Sequence, residues 1–260
     1  MPGDRRDPRN TFSRSAGRYL TSTDHQSGPD LGKIREVASQ LFPCVTVDVA
    51  AGAGHALRVA SPFSGLCVAL DLTWEMLRVA KDHLAKAGME NVHFIQSSAD
   101  HLPLAENSVS LLTCRIAPHH FPSVPGFLEE VGRVLEPQGH GVIIDSVVPA
   151  EEPVDRFINE VEFLRDPSHI RSYTLEQWLA FIEKSSLEIV SVELFERTHM
   201  FVEWAGRTGL DELEIKVVEH RFREASPDIR ERLKVQLDER GRVLSYTDEK
   251  GTFVLKLGTG

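Results

Sequence analysis

Short apolar runs alternate with amphipathic stretches through the middle of the chain. The runs are Cys44–Ala50, Leu66–Asp71, Val92–Ser98, Val109–Cys114 and Gly141–Ser146. Each is rich in Val, Ile or Leu and short enough for a strand buried on both faces. Helical spacing fills the gaps. Thr73 stands where it can cap a helix whose Met76, Leu77, Ala80, Leu84 and Ala87 share one face, with Gly88 as the stop. Phe127, Leu128, Val131 and Leu135 repeat the pattern, closed by Pro137 and Gly139. Such alternation predicts an α/β fold: a doubly wound, Rossmann-like parallel sheet with helices on both faces.

The flanks divide the chain into three parts. Residues 1–40 are polar and turn-rich before a helix from about Leu31 to Leu41. Residues 41–150 form the sheet core. Residues 151–260 add two helices before residue 185, the second opened by the capping-box pattern Thr174-Leu175-Glu176-Gln177. A strand over Leu187–Arg197 follows, then charged helices within Asp211–Glu239. Two late strands, Val243–Tyr246 and Thr252–Leu257, are expected around an Asp248–Gly251 turn.

Composition narrows the function classes. With 260 residues, 41% hydrophobic and 26% charged, the chain has material for a full-sized core. A formal net charge of −10 argues against nucleic acid, whose binding draws on Lys and Arg set against phosphates. It suits a neutral or cationic small molecule better. The scatter of Arg5, Arg6, Arg9, Arg14 and Arg18, broken by Asp4 and Asp7, reads as a solvated end. Cys44, Cys67 and Cys114 lie in apolar runs without C-x-x-C pairing, as buried reduced thiols of a cytoplasmic protein do. No apolar run reaches the roughly 18 residues of a membrane span, and the N-terminus lacks a signal peptide's apolar core. The histidines show no metal-ligand spacing, so no metal is expected.

The chemistry concentrates after the first strand, in Asp48-Val49-Ala50-Ala51-Gly52-Ala53-Gly54-His55. A small-residue turn there lets the backbone approach a ligand at the C-terminal edge of the sheet. Asp71 ends the second strand, 17 residues after Gly54, where a carboxylate can accept both hydroxyls of a ribose. A dinucleotide fingerprint would need a third glycine where Leu57 stands, and the phosphate-loop motif is missing. A nucleoside without a pyrophosphate is therefore favoured over NAD.

These motifs resemble the first two of class I S-adenosylmethionine-dependent methyltransferases. Ser97–Leu104, Asn107–Val109 and Thr113–Phe121 resemble the third and fourth motifs of the branch containing the ubiquinone and menaquinone biosynthesis methyltransferases. Tyr19–Leu31 and Asn159–His169 resemble flanking stretches of an uncharacterised bacterial subgroup of that branch. The resemblance implies S-adenosylmethionine as cofactor. It places backbone from Ala50 through Gly52 to Gly54, with Asp48, around the methionine part, Asp71 on the ribose and Leu72 against the adenine. Ser98, Ala99 and Asp100 meet the adenine edge, and backbone near Arg115 meets the amino group. Ala50 departs from the motif's usual first glycine and Ser98 from a common aspartate, which moves weight to Asp100. Tyr19 and His25 would belong to a lid made by residues 1–40, and His55 would border the cofactor.

His119 and His120 follow the fourth strand, where the transferred methyl should point, and either can act as an unprotonated acceptor. His120 is preferred; the alternative is that both only pack. Asp145 and the Arg165–His169 stretch are further candidates, read first as a structural hydrogen bond and a surface turn. The activity expected is methyl transfer to oxygen, carbon or nitrogen of a small molecule, without nucleic acid or membrane. The alternatives are a non-catalytic binder of the same cofactor and an NAD-dependent oxidoreductase.

Overall fold

The computed structural model describes residues 7–13 and 28–258; Tyr19 and His25 lie outside them. A helical stretch over 8–13 precedes α1 (Pro29–Leu41). The core then alternates β1 (Val45–Val49), α2 (His55–Ala60), β2 (Leu66–Asp71), α3 (Trp74–Lys86), β3 (Val92–Gln96), β4 (Val109–Arg115), α4 (Val124–Val134) and β5 (Leu135–Val148). Beyond it come α5 (Glu152–Arg165), β6 (Tyr173–Thr174), α6 (Leu175–Glu183), β7 (Leu187–Met200) and α7 (Phe201–Gly206). The chain closes with α8 (Glu212–Glu224), α9 (Pro227–Arg232), β8 (Gln236–Leu237) and β9 (Val243–Leu257).

The strands order as β3-β2-β1-β4-β5-β9-β7, with β6 on β5 and β8 on β9. The first five run parallel, and β9 enters antiparallel between β5 and β7. The chain reverses its direction of winding between β1 and β4, so a crevice opens at their C-terminal ends. Local signals set the helix starts. Thr73 accepts from the Met76 N–H, and Thr174 forms a full capping box with Gln177.

Four buried apolar clusters pack the described residues, and two of them are the largest. One packs α4 and α6 on one face, where Trp178 stacks on Phe253 with centroids 4.9 Å apart. The other joins α5, α7 and α8 to the β9 end through Phe157, Phe201, Trp204, Phe222 and Tyr246. Aromatic side chains of this size contribute on the order of 2–3 kcal/mol each when fully buried. No helix among the described residues is long and apolar enough to cross a membrane.

Several expectations change. The two late strands are one, Val243–Leu257, because Asp248–Gly251 does not turn. Asp248 pairs with Arg197 across β7, and Ser146 with Lys250 across β5. Gly251 is there for closeness: a Cβ on it would sit 2.8 Å from both Val147 and Phe253. The helix expected to run to Leu135 stops at Val134; Leu135 pairs with Val109 of β4, and β5 then bulges through Pro137 and Gly139 before the ladder resumes at His140. Cys44 is exposed while Cys67 and Cys114 are buried, since Cys44 precedes β1 and lies outside its ladder. Arg165 and Asp166, read as a surface turn, are 7% and 0% exposed.

Candidate active site

The crevice between β1 and β4 opens into a cavity of about 400 Å³, within the roughly 300–1,000 Å³ range of small-molecule and cofactor sites. Asp48, Ala50, Gly52, Asp71, Leu72, Ser98, Ala99, Arg115 and His120 all line it. Of the other candidates, Gly54 lies behind the turn as the N-cap of α2. Asp100 is exposed beyond the rim, taking a hydrogen bond from the Ser98 hydroxyl.

The turn is built by backbone conformation. Ala50, Gly52 and Gly54 have φ of 53°, 53° and 80°, the left-handed region that glycine enters without steric cost. Ala50 thus holds a glycine-like conformation, which is why the motif's first glycine belongs there. At the end of β4, Ile116 has φ 53°, an outlier for a β-branched residue. Both strained residues line the cavity. Strain of this kind persists where surrounding structure over-determines it, and it clusters at functional sites.

The acids follow from this geometry. Asp71 Oδ2 accepts from the Gly52 N–H at 3.0 Å, and Oδ1 accepts from the Thr73 N–H at 3.0 Å and hydroxyl at 3.2 Å. Burial pushes its carboxyl up, against these donors. Asp48 is 2% exposed and accepts from the Thr113 hydroxyl at 2.7 Å. Burial drives it up to about 7, partly offset by Thr113 and Arg115. The Arg115 side chain, in turn, is tied to Asp30.

The histidines separate in role. His120 lines the cavity, and its Nδ1 lies 3.1 Å from the Ser168 carbonyl. A carbonyl only accepts, so Nδ1 carries the proton and Nε2 keeps its lone pair. Burial, with His119 beside it, pulls His120 down to about 4, so it is neutral at physiological pH. His119 does not line the cavity; its Nδ1 donates to Asp145 Oδ1 at 2.5 Å. The His119 carbonyl also accepts from the Ile170 and Arg171 N–H groups, which fixes the 166–172 loop against the turn.

Residues 7–13 lie within the segment expected as a lid, although the arginine scatter there reads as a solvated end; they contribute Asp7, Pro8, Arg9 and Phe12 to the wall, and the Phe12 ring meets His120 edge-on at 5.0 Å. A phenylalanine inside a polar stretch was the available signal. Met76, Phe121 and Ile170 also line the cavity.

Residues 47–143 match the methyltransferase domain family. The uncharacterized methyltransferase YcgJ of Bacillus subtilis (strain 168) is 32% identical over 235 residues, 90% of this chain and 93% of that one. The chain belongs to the class I S-adenosylmethionine-dependent methyltransferases. The crystal structure of the Bacillus subtilis YcgJ protein superimposes on this methyltransferase with a TM-score of 0.84 at 30% identity, covering 89% of this chain and 99% of that one. The ubiquinone/menaquinone biosynthesis C-methyltransferase UbiE of Brucella abortus (strain S19) is 27% identical over 172 residues, 58% of this chain and 64% of its own. The fold and strand arrangement are those of the family, and the oxidoreductase reading falls. S-adenosylmethionine is the cofactor of the methyltransferase. The crevice suits it: a carboxylate with acceptor capacity at the end of β2, a turn where a Cβ on Gly52 would meet no protein atom within 4 Å, and apolar walls at Leu72, Met76 and Ala99.

Proposed function

We propose that this methyltransferase methylates an oxygen, carbon or nitrogen atom of a small molecule, with His120 accepting a hydrogen bond or proton from the nucleophile. One observation carries the reading. The same cavity is lined by the Ala50–Gly52 turn and Asp71 and also by His120, Phe121 and Ile170. When bound, the cofactor supplies an electrophilic methyl group on a sulfonium that is its own leaving group.

The protein's task is then alignment and exclusion of water. Asp71 would hold the ribose hydroxyls, backbone from Ala50 to Gly54 with Asp48 the methionine part, and Leu72, Ser98 and Ala99 the adenine. Asp100 would act at the rim through Ser98. Asp48 and Asp71 place acidic groups around a cationic cofactor. His120 presents the acceptor nitrogen, and His119 with Asp145 holds the turn that carries it. A non-catalytic binder would need a cap filling the acceptor end, whereas the cavity continues to Ile170.

Calorimetry with S-adenosylmethionine tests the first half: binding at tens of micromolar or tighter is expected, and no heat there ends the proposal. For the second half, methyl-labelled cofactor is incubated with the low-mass fraction of a bacterial extract. His120→Leu is expected to lower label transfer about 10²–10⁴-fold, the usual contribution of acid–base catalysis. Cofactor affinity should stay within about threefold. Unchanged transfer would remove His120 from the chemistry.

A further inference from the structure

A second cavity, of about 30 Å³, lies behind the turn that carries Ile116 and His119. Arg165 at the end of α5, Arg197 on β7, Arg207 just past α7 and Lys250 on β9 line it, and Glu162 is the one carboxylate residue among its described lining residues. The four cations are 7%, 8%, 8% and 3% exposed. Several are fixed from behind. Arg197 donates to Asp30 at 3.1 Å, and Lys250 donates to Asp248 at 2.7 Å and to the Ser146 hydroxyl at 2.8 Å. Arg165 donates Nε and Nη2 to Glu162 Oε2 at 3.0 and 2.6 Å and lies 4.9 Å over the Trp204 ring.

Burying a cation costs several kcal/mol even after relaxation. Here three stretches distant in sequence, at residues 165, 197–207 and 250, bring four cations to one small space, and Arg165, Arg197 and Lys250 are held there by Glu162, Asp30 and Asp248. That is the preorganisation an anion site requires. Size narrows the anion. A water-sized group needs about 10–15 Å³, so the cavity has room for two oxygens. Guanidinium groups match a planar carboxylate in a fork geometry.

We propose that this cavity takes a carboxylate group of the methyl acceptor and so fixes the acceptor's nucleophile near His120. Ile116 lines both cavities, and the ring of His120, which lines the first, lies 4.2 Å from the ring of His119, which lines the second. The inference rests on the methyltransferase reading above. It reverses the expectation of a neutral or cationic acceptor, because the net charge of −10 describes the whole surface and not the field inside one cavity. A carboxylate could also come from the methionine part of the cofactor, and the test separates the two sources.

Full-length protein is titrated with S-adenosylhomocysteine. The loaded protein is then titrated with sodium acetate and sodium benzoate, against acetamide and benzamide, by calorimetry and ligand-observed NMR. At least one carboxylate is expected to bind about tenfold or more tighter than its amide. Arg207→Gln should weaken that binding roughly ten- to a hundredfold, the range for a hydrogen bond to a charged group, with S-adenosylhomocysteine affinity within about twofold of wild type. Lys250→Met leaves the buried Asp248 with His199 alone and serves only as a second variant, and the carboxylate-to-amide ratio needs no variant. Carboxylates and amides binding alike, neither binding at 20 mM (~20 mM being the weak limit of such titrations), or no effect of Arg207→Gln overturns the site. Loss of S-adenosylhomocysteine affinity in Arg207→Gln assigns the cavity to the cofactor and overturns it as well. Failure of wild-type protein to take up S-adenosylhomocysteine instead overturns the methyltransferase reading.

Discussion

Asp71→Asn separates a carboxylate that ties a turn from one that also grips a ligand. A carboxylate offers about four acceptor positions. Inside the protein, Gly52 N–H, Thr73 N–H and the Thr73 hydroxyl take three of them, which leaves capacity for a ribose hydroxyl. Asparagine has one carbonyl oxygen. Turned to keep both Thr73 donors, it sets its NH₂ against the Gly52 N–H, an orphaned donor costing about 1–3 kcal/mol. Losing the carboxylate's desolvation penalty, the effect that pushes Asp71 up, draws the net destabilisation toward the low end. For binding, a lost hydrogen bond to a charged acceptor is worth about 1.5–3 kcal/mol, or roughly 10- to 150-fold in Kd. Urea unfolding gives the first quantity and S-adenosylhomocysteine calorimetry the second. A variant destabilised by about 1 kcal/mol yet binding within twofold of wild type would show that Asp71 serves the turn alone.

Two further predictions concern the turn itself. Asp48 is pushed up to about 7 in the fold by burial, from 3.8 when exposed. The folded state therefore holds its proton more tightly, and this contribution to stability is lost as pH rises from about 4 through 7, by roughly 4 kcal/mol in all. Asp48→Asn removes that slope, so the variant should gain on wild type between pH 5 and pH 8 in urea unfolding. The titrations of His120 and His169 are common to both proteins and cancel; parallel pH profiles would refute the assignment. Gly54→Ala forces a side chain into φ 80° and places its Cβ 3.0–3.2 Å from Leu84 side-chain carbons. A loss of about 1–3 kcal/mol is expected, and undiminished stability would mean that the turn is not left-handed there.

What was legible in the sequence was local. Strands β1, β2, β4 and β5 announce themselves because both faces are buried and the runs are nearly all apolar, whereas β3, at the sheet edge and half-exposed, was legible from Val92, Phe94 and Ile95. The cofactor turn was readable because Asp48, Gly52, Gly54 and Asp71 fall within one β-α-β unit. The second cavity was not, because its parts come from residues 116–119, 146, 162–165, 197–207 and 250. Its groups look like solvated surface in sequence. Arg165-Asp166-Pro167 has the composition of a turn, and Asp248–Gly251 that of a hairpin. Their burial depends on partners far away: His199 meets Asp248 49 positions on, and Lys250 reaches Ser146 across 104. No periodicity registers such pairs. The same limit applies to residues 7–13, whose place against His120 is a tertiary contact of one phenylalanine.

The two cavities differ in the charges that line them: Asp7, Asp48 and Asp71 stand with Arg9 and Arg115 in the first, and Glu162 stands with Arg165, Arg197, Arg207 and Lys250 in the second. On the β2-β1 side the strand ends carry Asp71 and Asp48, acids aimed at the crevice. On the β5-β9-β7 side the wall carries Lys250 and Arg197. A cationic cofactor and an anionic acceptor would each meet the sign that suits it, and a swapped pose would set like charges together at a cost of several kcal/mol. β4 stands between the halves, and Ile116 at its end lines both cavities in a strained conformation. Its N–H donates to the Ile144 carbonyl at 2.7 Å, so the strained peptide is pinned to β5 and cannot relax outward. On the reading proposed here, that pinned residue sets the separation between methyl donor and carboxylate. Methyl transfer tolerates little error in that distance, which gives the strain at Ile116 a purpose that packing alone does not.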